Sequence, residues 1–149
     1  MAAPKWKRIL AATDFSPFAS RAVSYAHELA EQLAAELHVL HVARSISELA
    51  AEHGTSGRLS PDSTEEEGAE WLAGLLGEQR NLERIEAVRV GQDIAESINH
   101  YARQNNIDII VIATHGRTGL SHAVLGSIAE KVMRNSPCPV LALPPSFTQ

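Results

Sequence analysis

The chain has a single cysteine, Cys138, in 149 residues. No intrachain disulfide can form, which fits a reducing compartment. Positive charge is also scarce: 13 Lys and Arg stand against 18 Asp and Glu, for a formal net charge of −5. A protein built to grip nucleic acid needs clustered cations to neutralise phosphates, so no nucleic-acid partner is expected. A small anionic ligand remains possible, because backbone N–H groups bind phosphate without side-chain charge. No stretch approaches the roughly 18 uninterrupted apolar residues of a membrane span. The opening Lys5-Trp6-Lys7-Arg8, followed by Ile9-Leu10-Ala11-Ala12, starts like a signal peptide, but Asp14 ends the apolar run too early. A soluble cytoplasmic protein with no membrane partner is expected.

Two familiar phosphate-binding signatures are missing as well. Gly126-Ser127-Ile128 lacks the lysine of a P-loop, and no G-x-G-x-x-G follows the first strand. Seven histidines invite a metal, but His38 and His41 lie three apart on a predicted strand and face opposite sides. No Cys or carboxylate pattern joins His115 to His122. No protein-held metal is expected. Cys138 sits between two prolines beside an apolar run and reads as a small packing residue rather than a nucleophile.

What is present is an alternation of elements. Short apolar runs at Ile9–Thr13, Leu37–Val42, Ile85–Val90, Ile107–Ala113 and Val140–Leu143 read as strands. Between them, Ser16-Pro17 starts a helix whose apolar stripe is Ala22, Ala26, Leu29, Ala30 and Leu33. Asp93 precedes another, with Ile94, Ala95, Ile98 and Ala102 on one face. Val124, Leu125, Ile128, Ala129, Val132 and Met133 form a last stripe. A further helix is expected after Ser63, around Trp71, Leu72, Leu75 and Leu76. Residues 44–62 read mostly as loop, with a short helix possible at Ile46–Glu52. Strands alternating with helices predict one α/β domain over residues 1–149, a five-stranded parallel sheet with helices on both faces.

In such sheets ligands sit beyond the carboxyl ends of the strands, where the winding reverses. The first strand delivers Ala12-Thr13-Asp14 there. The fourth delivers Ala113-Thr114-His115-Gly116-Arg117-Thr118-Gly119, in a loop that leads to Gly126-Ser127 at the start of the last helix. Gly116 and Gly119 permit φ > 0 and close backbone approach, and the helix start offers free amides to an anion. The local chemistry leaves two readings open. The loop is a phosphate cradle, or its glycines serve turning alone and Ser127 merely caps a helix. Asp14 is likewise a ligand or a turn residue. A hydrolytic triad of Ser127, His115 and Asp14 lacks the G-x-S-x-G elbow, and no enzyme activity is expected.

The string from Ala113 through Gly116 and the nine residues Arg117–Leu125 to Gly126-Ser127 resembles the nucleotide-binding motif of universal stress proteins. That motif is Gly, two residues, Gly, nine residues, then Gly-Ser or Gly-Thr. Here alanine replaces the first glycine. The opening Ile9–Ser16, Leu40-His41-Val42 and the closing Ser136–Leu141 are also typical of the family, so the resemblance spans nearly the whole chain. It implies a Rossmann-like sheet of order 3-2-1-4-5 and an ATP site, with Mg²⁺ carried by the nucleotide. Adenine would be held by Ala12, Thr13, Asp14 and the backbone of Val42. The ribose and phosphates would lie over Ile112, Ala113, His115, Gly116, Gly126, Ser127, Ile128 and Ala129. The resemblance further implies a stress-response regulator acting on a downstream protein partner, and a homodimer joined through the last strand. A nucleotide-independent interaction protein and a slow ATPase or self-phosphorylating protein are the alternatives. The Ala113 methyl is expected to weaken ATP binding without abolishing it, by up to about tenfold relative to glycine.

Overall fold

The computed structural model describes residues 5–45, 48, 51, 84–116 and 125–147. The elements, numbered as they occur there, are β1 (Arg8–Thr13), α1 (Pro17–Leu33), β2 (Glu36–Ala43), β3 (Arg84–Val90), α2 (Ile94–Gln104), β4 (Ile109–Ala113), α3 (Ser127–Asn135) and β5 (Val140–Leu143). The strands form one parallel five-stranded sheet in the order β3-β2-β1-β4-β5. β1 is central and pairs with both β2 and β4, so the chain winds away from it in both directions.

The period of two along each strand divides the core into two layers. Ile9, Ala11, Leu37, Val39, Ile109 and Val111 pack with α1. Leu10, Leu40, Ile110 and Ile112 pack with Ile98 and Tyr101 of α2 and Val132 of α3. Helices therefore cover both faces, which is why the central strands are largely apolar on both sides, His38 and His41 of β2 being the interior exceptions. Helix α1 meets the sheet through Ala19, Ala22, Ala26 and Ala30, all buried. Side chains this small let the helix backbone approach closely. Leu33, at the end of the expected stripe, is exposed instead.

Two elements begin later than their apolar patterns predict. Ile107 and Asp108 precede β4, because the Asp108 carboxylate accepts from the backbone N–H groups of Lys7 (2.7 Å) and Arg8 (2.9 Å) and pins the entry to β1. Leu125 lies before α3 and packs on the core from there, and Met133 is exposed. The expected helix after Ser63 lies outside the described residues. Glu48 and Ala51 are helical, in the stretch where a short helix was possible.

Helix α1 starts as its sequence predicts. Ser16 is its N-cap, with Oγ accepting from the Ala19 N–H at 3.2 Å, and Pro17 follows. Removing such a cap costs about 1 kcal/mol. Ser16→Ala is expected to lower the urea midpoint by that amount at an unchanged denaturant slope, measured by circular dichroism.

Candidate functional site

At the carboxyl end of β1 the backbone is tightly constrained. The Phe15 N–H donates to Thr13 Oγ1 (3.0 Å) and the Ser16 N–H donates to Asp14 Oδ1 (2.9 Å). These turns hold Phe15 at φ 62°, a left-handed conformation that a bulky residue rarely adopts. Its ring packs against His41 at 4.6 Å, and His41 Nδ1 donates to the Thr13 carbonyl at 2.9 Å. The β1 loop is thereby tied to the end of β2.

At the end of β4 the Gly126 N–H donates to the Thr114 carbonyl at 2.8 Å. That bond brings the start of α3 against the strand end. A Cβ on Gly126 would collide with the Thr114 carbonyl oxygen, and one on Gly116 would lie 2.5 Å from Asp14 Oδ2. Neither glycine has a left-handed φ. Of the two uses of glycine expected at Gly116, close approach is the one realised, to the end of the Asp14 side chain; at Gly126 the near atom is backbone, and glycine is required there. Gly119 lies outside the described residues.

Gly126, not Ser127, is the N-cap of α3, and no side chain caps the helix. The first helical bond is donated by the Glu130 N–H to the Gly126 carbonyl. The amides of Ser127, Ile128 and Ala129 precede it and have no partner within the helix. They carry the positive end of the helix dipole.

These features surround one cavity of about 400 Å³ at the carboxyl end of the sheet. The twelve residues expected to hold a nucleotide all line it. Ala12, Thr13 and Asp14 come from β1 and its loop, Val42 from β2, Ile112, Ala113, His115 and Gly116 from β4 and its loop, and Gly126, Ser127, Ile128 and Ala129 from the start of α3. The sequence reading did not assign Arg44, Glu48, Ile94 and Ile98 to the site, yet they line it too. Leu40, Val42, Ile94, Ile98 and Ile112 make its apolar wall. One local signal was available for Glu48. Ser45-Ile46-Ser47-Glu48 is a capping-box pattern, and the Glu48 N–H donates to Ser45 Oγ at 3.0 Å. A larger but shallow depression of about 640 Å³ lies at the amino end of the strands, beside Lys5, Lys7 and Leu33. That is the wrong end of a parallel sheet for a ligand.

The tempting side chains are otherwise engaged. His115 Nδ1 pairs with Thr114 Oγ1 at 2.9 Å, so it does not link Ser127 to Asp14 as a triad would require. Its Nε2 is buried with no hydrogen-bond partner. His38 is held between Tyr101 (2.8 Å) and Glu36 (2.6 Å), on the face of the sheet opposite His41. Burial raises the Cys138 thiol pKa above its ordinary value, the sign of an inert thiol.

Ala113 has no left-handed φ. It pairs with Leu143 in register, and its side chain packs with the layer under α1. Alanine is therefore unstrained where the motif has glycine. Ala113→Gly is expected to lower stability by about 0.5–1 kcal/mol, the usual entropic cost of glycine in a strand, read as a lower urea midpoint.

The Universal stress protein family model matches residues 5–144. Universal stress protein MJ0531 of Methanocaldococcus jannaschii is 31% identical over 144 residues, covering 93% of this chain and 82% of its own length. The solved structure of MJ0577, titled as a structure-based assignment of biochemical function, superposes with a TM-score of 0.68 at 26% identity, covering 97% of this chain and 100% of that one. The universal stress protein of Archaeoglobus fulgidus, solved in complex with dAMP, shares the fold with a TM-score of 0.62 at 19% identity, covering 93% of this chain and 98% of its own. With its sheet order and a family match over nearly its full length, this chain belongs to the universal stress protein family.

Proposed function

We propose that this protein binds an adenine nucleotide, Mg-ATP, and acts as a non-catalytic regulator whose bound state alters its conformation or partners. The observation that carries this reading is the convergence of an apolar slot with the uncapped start of α3 in one cavity. A base fits between Leu40, Val42, Ile94, Ile98 and Ile112. A phosphate chain fits over Gly116 and the amides of Ser127, Ile128 and Ala129, where the helix dipole favours negative charge. Between them lie Thr13 and Asp14, able to accept from ribose hydroxyls. The Asp14 carboxylate and Ser127 hydroxyl are oxygen donors of the kind Mg²⁺ takes while keeping most of its water. The dAMP complex of the Archaeoglobus relative supports an adenine nucleotide as the ligand class.

Catalysis is not part of the proposal. A hydrolase needs a base placed on the attacking water, and His115, with Nδ1 held by Thr114 and Nε2 buried, is hydrogen-bonded to neither Asp14 nor Ser127. Steady-state ATP turnover is expected to stay below about 1 s⁻¹. A faster rate abolished by His115→Ala would contradict this.

Mass spectrometry of small molecules released from the purified protein, followed by calorimetry with Mg-ATP, tests the binding reading. Gly126→Asp is expected to abolish binding, because it breaks the approach of α3 to Thr114 and sets a carboxylate against the phosphates. Circular dichroism of that variant confirms that it has folded. Ala113→Gly is expected to change the affinity by less than about threefold, or ~0.7 kcal/mol. Undetectable wild-type binding at saturating Mg-ATP would favour the nucleotide-independent interaction protein.

We also propose a homodimer through β5. Val140, Leu141 and Ala142 are half-buried on a strand that, among the described residues, pairs with β4 alone, and an apolar edge invites pairing. Light scattering across a concentration series is expected to give twice the chain mass. A monomer throughout would overturn it.

A further inference from the structure

Arg44 is the one Lys or Arg among the described residues that line the cavity. It follows β2, and its position is set locally. Its own N–H donates to Glu48 Oε2 at 2.6 Å, and its guanidinium Nη1 lies 3.7 Å from Glu48 Oε1. Glu48 is fixed in turn by its N–H bond to Ser45 Oγ. The carboxylate thus grips both the backbone and the side chain of Arg44 at the cavity rim.

The sheet order decides which part of a ligand this cation meets. β1 lies between β2 and β4. At about 4.8 Å per strand, the end of β2 stands roughly 10 Å from the end of β4, and the uncapped amides of α3 are at the β4 end. Arg44 is therefore at the opposite end from the phosphate donors, beside the apolar wall of Leu40, Val42, Ile94 and Ile98. A guanidinium there is planar, weakly hydrated and suited to lying on a π-face.

We infer that Arg44, oriented by Glu48, is the base-recognising side chain of this site and covers the outer face of a purine seated in the apolar slot. The inference rests on the nucleotide reading above and adds a specificity residue to it. Glu48 is the positioning residue. A planar cation favours the larger π-surface of a purine over a pyrimidine, and it acts on an unphosphorylated nucleoside as fully as on a nucleotide.

The experiment titrates adenosine and Mg-ATP into the wild type, Arg44→Ala, Arg44→Lys and Glu48→Gln. Thermal melts verify that each variant is folded. Arg44→Ala is expected to weaken adenosine and Mg-ATP by the same factor, about three- to thirtyfold, and Arg44→Lys by a smaller factor that is again the same for both ligands. Lysine keeps the charge and part of the attraction but not the plane. Glu48→Gln is expected to lose less, and wild-type lysine-for-arginine behaviour in that background should persist as a further loss. Where adenosine binds too weakly to titrate, a salt series on Mg-ATP decides. A base contact gives a loss that is nearly independent of salt, and a phosphate contact gives one that shrinks as salt screens it. A loss confined to Mg-ATP, or full affinity in Arg44→Lys, would overturn the assignment and leave nucleotide binding standing. A wild type that binds neither ligand would overturn both.

Discussion

The hydrogen bond from the Gly126 N–H to the Thr114 carbonyl, 2.8 Å long, holds the site together. It brings Gly126 against the end of β4. It fixes where α3 starts, and so where the helix aims its unpaired amides. The bond requires an N-cap without a Cβ, because a side chain at 126 would occupy the space of the accepting carbonyl. A Ser or Asp cap would have stabilised the isolated helix more, but it would also have satisfied the amides that a ligand needs. Helix stability has been traded for a free N-terminus facing the cavity.

The β1 loop meets this one from the other side. Thr13, Asp14 and Ser16 each accept a hydrogen bond from the backbone close ahead, and together they overdetermine the turn. That network, with the packing of the Phe15 ring on His41, sustains a left-handed Phe15 that would otherwise cost on the order of 1–2 kcal/mol. The strained turn sets Asp14 directly against Gly116. The two loops at the reversal of the sheet thus meet at Asp14 and Gly116.

Below the site the scaffold is close-packed on both faces. Four alanines bring α1 down onto one side of the sheet, while Tyr101, Ile98 and Val132 fill the other. His38 and Asn99 are buried polar residues of that second layer, and His38 is the better satisfied of the two. It is accommodated because both ring nitrogens are satisfied, by Tyr101 and by Glu36, as burial of a polar group requires. The carboxyl ends of β1, β2 and β4 are thereby rigid, which is what places groups from separate segments around one cavity.

Much of this protein follows from its residues read in order. Apolar runs bounded by turns located the strands to within a residue or two, except where Asp108 turned from β4 to hold the start of β1. Ser16-Pro17 and Asp93 marked two helix starts, because capping is a local bond between neighbours. The spacing from Gly116 to Gly126-Ser127 singled out residues that all line the cavity. Other features depended on which segments face one another, and only the tertiary structure decided them. Gly116 reads as a turn or close-approach residue, and only the tertiary structure shows that Asp14 is what approaches it. Ala113 departs from the motif, and only the tertiary structure shows it in ordinary strand register with Leu143, packed in the layer under α1 and lining the cavity. Arg44 and Glu48 carry no site signature of their own. They join the cavity only because β2 lies next to β1, and strand order is a property of packing between distant segments that no local periodicity encodes.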